Sequence, residues 1–420
     1  MLRFQLGLGA LVSTACGATY EVGPTRVYKN LQQVTGLLRG GDVVTVDGGV
    51  TYKGGVTFGA NAGKGVITVR GLLGSGGRPV LAGTSVQGGS VIRVLGSGYL
   101  IEGFDLTGGG DARVGRGFYS VGDDVTLRDC VVHDCHCTGI AASDVAGSLT
   151  LDGVEVYHCG NGLYAHQIYV GSSLAKYPGA VFRMQYCYVH DGTGGNNVKS
   201  RVTRNEIEYN WIEGAAFHEL DLVGPDPKAQ KTPAGGVHCD GDIVGNVLVV
   251  AGESKGTVAR LGSDGTAASR GRYSFENNTV IVDSELSAGF GLLWLKGEVD
   301  SLTVWNNVFW CTAGPMKLTR MEGAPAPALA GDGNWLPVGT TNAPAEWRAV
   351  RGTDPGFADV AQEDYRPVAG SPLIGAGSVQ VGGVPVTGVP PLRQAAADHE
   401  VVRPAGRAKD IGAYPLPGAP

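Results

Sequence analysis

Three short segments carry the residues best suited to chemistry: His166-Gln167-Ile168-Tyr169-Val170, Asn196-Asn197-Val198-Lys199-Ser200 and His218-Glu219-Leu220-Asp221-Leu222. Each reads polar, polar, aliphatic, polar, then small or aliphatic, and Arg201 stands two residues beyond Lys199. Imidazoles, amides, a phenol, an ammonium, a guanidinium and two carboxylates are groups that neutralise anions, move protons and bind hard cations. The recurrence predicts one strand position on successive turns of a coil. Alternation then sends Ile168, Val198 and Leu220 to one side. Two polar columns follow on the outside, Tyr169, Lys199 and Asp221 in one and Gln167, Asn197 and Glu219 in the other, on rungs roughly 4.8 Å apart.

Several chemistries fit these columns. Asn197, Glu219 and Asp221 offer an oxygen set for calcium, because carboxylates at i and i+2 point the same way and an amide oxygen sits on the adjacent rung. Asp221 at roughly 5 Å stabilises the Lys199 ammonium by about 3 kcal/mol at an effective dielectric of about 20. Lys199 and Arg201 then suit neutralisation of an anion, and Tyr169 beside them suits acid or base duty. If Asp221 instead binds a metal, Lys199 becomes the base. The competing reading is an ordinary surface ion pair, worth at most about 1 kcal/mol. His166, Asn196 and His218 stack at the strand entry, as a hydrogen-bonded ladder or as a catalytic pair of histidines.

The elements that must position these groups are many short strands. Seventy glycines and only 17% charged residues describe a turn-rich chain rather than a helical bundle, and the glycines fall between β-branched runs at near-regular spacing. A net charge of −6 without a basic tract argues against a general nucleic-acid binder. From about 43 to 311, strands such as Tyr99-Leu100-Ile101, Val125-Thr126-Leu127 and Leu149-Thr150-Leu151 are each followed by a second short apolar strand. Aligning the second strands superposes Cys130, Val154, Cys187, Asn210, Asn246, Asn278 and Asn307, at steps of 23 to 36 residues. The four asparagines predict an inward ladder of stacked amides at a corner, which accounts for Asn278 better than the sequon Asn277-Asn278-Thr279 does. In residues 28–39, Leu31, Val34, Leu37 and Leu38 predict a short helix stopped by Gly40-Gly41, suited to capping an open end.

The same alignment puts Cys135 over Cys159, predicting a disulfide or two buried thiols; zinc-type ligand spacing is absent. Residues 1–18 read as a secretory signal, with Arg3, an apolar stretch and small residues up to Ala18; a lipoprotein signal acylated at Cys16 is the alternative. No later run reaches the ~20 apolar residues of a membrane span. The expected layout is a signal (1–18), an N-terminal cap (19–42), the coil (43–320) and a loop-rich C-terminal cover and tail (321–420). The Pro/Gly-rich insertion 224–236 is expected as a substrate lid or a variable loop.

Rungs of this length, the asparagine ladder and the cap segment resemble the pectate-lyase-like superfamily of right-handed parallel β-helix proteins, over roughly residues 20–380. Asp354-Pro355-Gly356-Phe357, Ser371-Pro372-Leu373-Ile374 and Asp410-Ile411-Gly412-Ala413-Tyr414 are similar to its closing segments. The resemblance implies an all-β coil, binding of an acidic polysaccharide along its outside, and a lyase cleaving uronates by β-elimination. That reaction needs a cation for the C6 carboxylate, a base for the C5 proton and an acid for the leaving oxygen. Within the superfamily, lyases acting on chondroitin-type glycans and alginate carry an asparagine, acidic residues and a lysine-serine step on adjacent rungs, which Lys199-Ser200 matches. They follow it with arginine-histidine, where this chain has Phe217-His218-Glu219, so the arginine's role is unassigned unless Arg201 or Arg204 fills it. The resulting expectation is an exported lyase, secreted or periplasmic. Lys199, Tyr169, Arg201 and His218 would act in chemistry, His166, Gln167 and Asn196 would contact substrate, and Asn197, Glu219 and Asp221 would hold calcium. A non-catalytic carbohydrate-binding surface protein and a uronate epimerase are the alternatives.

Overall fold

The computed structural model describes residues 17–83, 89–110, 115–231, 236–251, 253–266, 269–378 and 410–414, with the backbone of four two-residue strands between 380 and 402. The expected signal and Cys16 lie outside them, apart from residues 17 and 18. Each turn of the chain contributes three strands, and like strands stack in parallel into three long sheets of 12, 12 and 10 strands. Strands such as Tyr99–Glu102 and Val125–Arg128 build the first sheet, Asp105–Thr107 and Val131–His133 the second, and Arg116–Ser120 and Thr138–Ala142 the third. Inward residues of all three sheets, among them Ile101, Leu127, Val132, Ile140, Ile168 and Phe182, form one continuous apolar core. The all-β coil is therefore present as expected.

The corner between first and second sheets shows how sequence sets the turn. One residue in left-handed conformation bends the chain: Asp129, Gly153, Tyr186, Tyr209, Gly245, Asn277, Asn306 and Gly333 on successive rungs. The next residue points inward. From Asn210 onward it is asparagine, and Asn210, Asn246, Asn278 and Asn307 each donate Nδ2–H to the Oδ1 of the next at 2.9–3.0 Å, ending on Asn334. The ladder is thus one amide longer than the sequence alignment suggested. Each Oδ1 also accepts a backbone N–H from the preceding rung, so the buried amides leave no unmet donors at this turn.

The two ends differ from expectation. Residues 28–39 hold only a 3₁₀ turn at Leu31–Gln33, without a side-chain cap. Leu31, Val34 and Leu38 are buried while Leu37 is 43% exposed, so the segment docks its apolar residues without forming the expected helix. A run this short before a glycine pair cannot offset the cost of helix nucleation. The first sheet already opens with Thr19–Val22, paired to Val43–Val46, inside the region expected as cap. Strands also continue past 320, to Val350–Gly352. The hairpin Phe357–Asp359 and Asp364–Pro367, together with 410–414, packs along the outer face of the second sheet, where Tyr365 and Tyr414 meet Trp211, Val247 and Ile281.

Candidate active site

The third sheet brings the expected column together. Tyr169 pairs with Lys199 and Lys199 with Asp221 on adjacent strands, and Arg260 follows on the next. Read along all ten strands, this outward position is Thr57, Arg93, Tyr119, Ala141, Tyr169, Lys199, Asp221, Arg260, Trp294 and Arg320. Ala141, on the small-residue rung before Tyr169, is only 4% exposed.

Around Lys199 the groups interlock. Lys199 Nζ donates to Asp221 Oδ2 at 2.8 Å and to Asp264 Oδ2 at 2.9 Å. Arg260 grips Asp221 with Nε and Nη2, both at 2.8 Å, and Asn196 Nδ2 adds a bond at 3.0 Å. Arg201 donates to Asp264 Oδ2 at 2.5 Å, to the Tyr169 hydroxyl at 3.0 Å and to the Gly224 carbonyl at 2.8 Å. Lys199 and Arg201 are 7% and 5% exposed and Asp221 is fully buried, which rules out an ordinary surface ion pair. Although burial opposes ionisation, the Arg260 fork and Lys199 hold the Asp221 carboxyl well below the usual carboxylate range. Lys199 and Arg201 do the same for Asp264. Three cations face two carboxylates in the cluster, and the Asp226 carboxylate on the cavity wall brings the charges to balance. The cluster lines a cavity of about 580 Å³, together with His166, His218, Tyr164, Phe217 and Asp226.

The neighbouring column turns out differently. Gln167, Asn197 and Glu219 are fully buried. They precede their strands at the corner between second and third sheets, so their side chains turn inward instead of continuing the alternation. Gln167 Nε2 donates to Asn197 Oδ1 at 3.1 Å, and Asn197 Nδ2 to Glu219 Oε2 at 2.6 Å. The remaining polar atoms bond the backbone at Cys159, His190, Glu213 and Ala215. Burial pushes the Glu219 carboxyl well above the usual range, which fits a structural group held neutral. Gln167 therefore does not face a substrate. The expected calcium set is not assembled either: Asn197 and Glu219 face the interior, and both oxygens of Asp221 are taken by Lys199, Asn196 and Arg260. Among the described residues, no group of three or more His, Cys, Asp or Glu side chains is placed to hold a metal.

His166, Asn196 and His218 do form a ladder. The backbone N–H of Asn196 donates to His166 Nδ1 at 3.0 Å, that of His218 to Asn196 Oδ1 at 3.1 Å, and that of Thr257 to His218 Nδ1 at 3.0 Å. A backbone amide only donates, so Nδ1 of each ring carries no hydrogen and the neutral tautomer places it on Nε2. Burial and nearby cations lower the two imidazoles to about 3 and about 4 respectively. Both rings line the cavity as hydrogen-bond donors. Neither offers a lone pair for proton abstraction, which removes His218 from the base role.

Two residues escaped the sequence reading. Arg260 belongs to a fourth segment, Thr257-Val258-Ala259-Arg260-Leu261, whose second position, Val258, breaks the polar pattern although its register continues. Asp264 lies in the loop after that strand, held by bonds from Thr266 N and Oγ1 at 3.0 and 2.7 Å, and no periodic signal marks it. Cys135 and Cys159 are buried free thiols, donating to the carbonyls of His133 and Tyr157 at 3.3 and 3.2 Å, not a disulfide. Of the insertion 224–236, residues 232–235 lie outside the described residues. Gln230 ties the rest to the neighbouring loop, accepting from Leu174 N at 2.7 Å and donating to the Ser172 carbonyl at 2.6 Å.

Pectate lyase Pel9A superposes on this architecture with a TM-score of 0.58 at 16% identity, covering 96% of this chain and 97% of its own. The fold is a parallel β-helix. An alginate lyase from Paenibacillus sp. str. FPU-7 aligns with a TM-score of 0.36 at 17% identity, over 71% of this chain and 94% of that one. The family PL6 alginate lyase AlyGC aligns at 0.41 and 11%, over 76% of this chain and 52% of that one. No family profile and no curated protein matches the sequence. Among the described residues, no helix is long and apolar enough to cross a membrane.

Proposed function

We propose that this β-helix binds an acidic, uronate-containing polysaccharide outside the cytoplasm and cleaves it by β-elimination. The observation that carries this reading is the trio of buried Lys199 and Arg201 with half-buried Arg260, set against a phenol, Tyr169, in one cavity. The likeness in fold to a pectate lyase supports the reaction class. A uronate C6 carboxylate in the cavity meets the Lys199, Arg201 and Arg260 side chains, and its neutralisation stabilises the carbanion-like charge that develops when the C5 proton leaves. The hydrogens of Lys199 are committed to two carboxylates, so Lys199 serves as a fixed cation rather than a base. Tyr169, accepting a hydrogen bond from Arg201 Nε, is the group left to take the C5 proton, a step it performs as the phenolate. As the C5–H electrons form the C4=C5 double bond, the C4–O bond breaks. The phenol then returns its proton to the leaving glycosidic oxygen on the same face. His166 and His218 donate through Nε2–H to sugar hydroxyls.

The test is incubation with a panel of uronate polymers while following absorbance of the unsaturated product. Tyr169→Phe should lower turnover by roughly 10²–10⁴-fold, the usual size of a general acid–base contribution. Lys199→Ala should abolish it with the coil intact. Wild-type protein that binds these polymers without forming unsaturated ends would establish a binding protein instead. Unchanged turnover in Tyr169→Phe would discard the assigned base.

A further inference from the structure

Beyond the pocket, the outward column of the third sheet is unlike the outer face of the first. Its ten positions hold four cations, three aromatic rings and a single carboxylate, on a chain of net charge −6. The first sheet's face shows the ordinary alternative: Arg70 with Glu102, Arg128 with Asp152 and Arg183 with Glu206 pair rung by rung. On the third sheet the cations gather over rings. Arg93 and Arg116 sit 5.8 and 4.9 Å from the centre of the Tyr119 ring. Lys296 and Arg320 sit 4.9 and 4.8 Å from that of Trp294.

Tyr119 lies three rungs before Lys199 and Trp294 three rungs after it, about 14 Å away on either side at strand spacing. Each cluster also holds an unmet donor: Arg93 Nε and Trp294 Nε1 are shielded from solvent without a hydrogen-bond partner. Lys296 makes no ion pair among the described residues, whereas Arg320 is tied to Glu322 through Nε at 2.8 Å. A ring with cations over it presents an apolar face for a sugar and a charge for its acid group.

We infer that the Tyr119 and Trp294 clusters are two anchoring subsites for one polyanionic glycan lying parallel to the coil axis, with the Lys199 pocket midway between them. This rests on the proposed function for the identity of the central site, and adds the direction and length of the chain it takes. With one sugar unit per rung, the span from Tyr119 to Trp294 accepts about six units, so a scissile bond near the middle makes the action internal rather than terminal.

Calorimetric titration of the Tyr169→Phe protein with uronate oligomers of defined length tests this, since the slow variant does not consume them. Affinity should rise with length and level off near six to seven units. Arg93→Ala and Lys296→Ala should each weaken octamer binding at least five-fold and leave trimer binding within two-fold. Equal affinity for trimer and octamer overturns the inference, even where a variant fails to fold. So does octamer binding unchanged by both substitutions in folded protein. Length-dependent binding by wild-type protein that yields no unsaturated ends would instead retain the anchors and discard the lyase. The central lyase assignment survives without its anchors if unsaturated ends form but binding ignores length.

Discussion

Replacing Asp221 by asparagine should separate a buried charge network from a surface pair. Asp221 is fully buried and accepts from Lys199 at 2.8 Å, from two nitrogens of Arg260 at 2.8 Å and from Asn196 at 3.0 Å. The amide keeps the volume but leaves three cations facing the single carboxylate of Asp264. Breaking a buried pair by removing one partner costs about 3–5 kcal/mol, against at most about 1 for an exposed pair. With an unfolding entropy of about 2.1 cal/mol/K per residue over roughly 350 residues, that lowers Tm by about 4–7 °C. Calorimetry and equilibrium urea unfolding measure it. Adding Arg260→Met removes the orphaned guanidinium, so the double variant should lose less stability than the two single variants summed, by about 1–2 kcal/mol. A cost below 1 kcal/mol for Asp221→Asn, or strict additivity of the pair, would refute the buried network. Turnover on uronate polymers should fall with Asp221→Asn as well, because Lys199 and Arg260 lose the group that fixes their positions.

Acid should destabilise the site in a defined window. His166 and His218 are lowered to about 3 and about 4, so below about pH 6.5 the unfolded chain takes up protons that the native chain refuses. Their contribution is present in full above pH 6.5 and is lost as pH falls towards those values, by roughly 5 and 3 kcal/mol. Asp221 and Asp264, depressed by their cations, add a further loss below about pH 4. Glu219, raised by burial, acts in the opposite sense: its contribution is present below about pH 4.5 and lost on going up. Urea midpoints of wild type and His166→Asn across pH 4–7 check this, and a slope unaltered in His166→Asn would contradict it. Asn278→Ala strips two acceptor bonds and two donor bonds from a buried ladder and should cost roughly 2–4 kcal/mol; a loss under 1 kcal/mol in urea unfolding would show the amides to be dispensable.

Period and spacing in the chain determine the coil. Inward aliphatics at alternate positions, a turn residue at each corner and asparagines at 29- to 36-residue steps have one consistent solution, in which strands of successive turns stack in register. The same register placed Tyr169, Lys199 and Asp221 side by side, because a strand position once aligned stays aligned. Tertiary structure decided what alternation cannot describe. Gln167, Asn197 and Glu219 stand where strand alternation is interrupted by a corner, so they turn inward and become structural. Asp264 comes from a loop without periodicity, yet its carboxylate joins Lys199 and Arg201 and changes an exposed-looking pair into a buried network. The protonation of His166 and His218 is likewise fixed by backbone amides one rung away, a contact that exists only once the coil has closed.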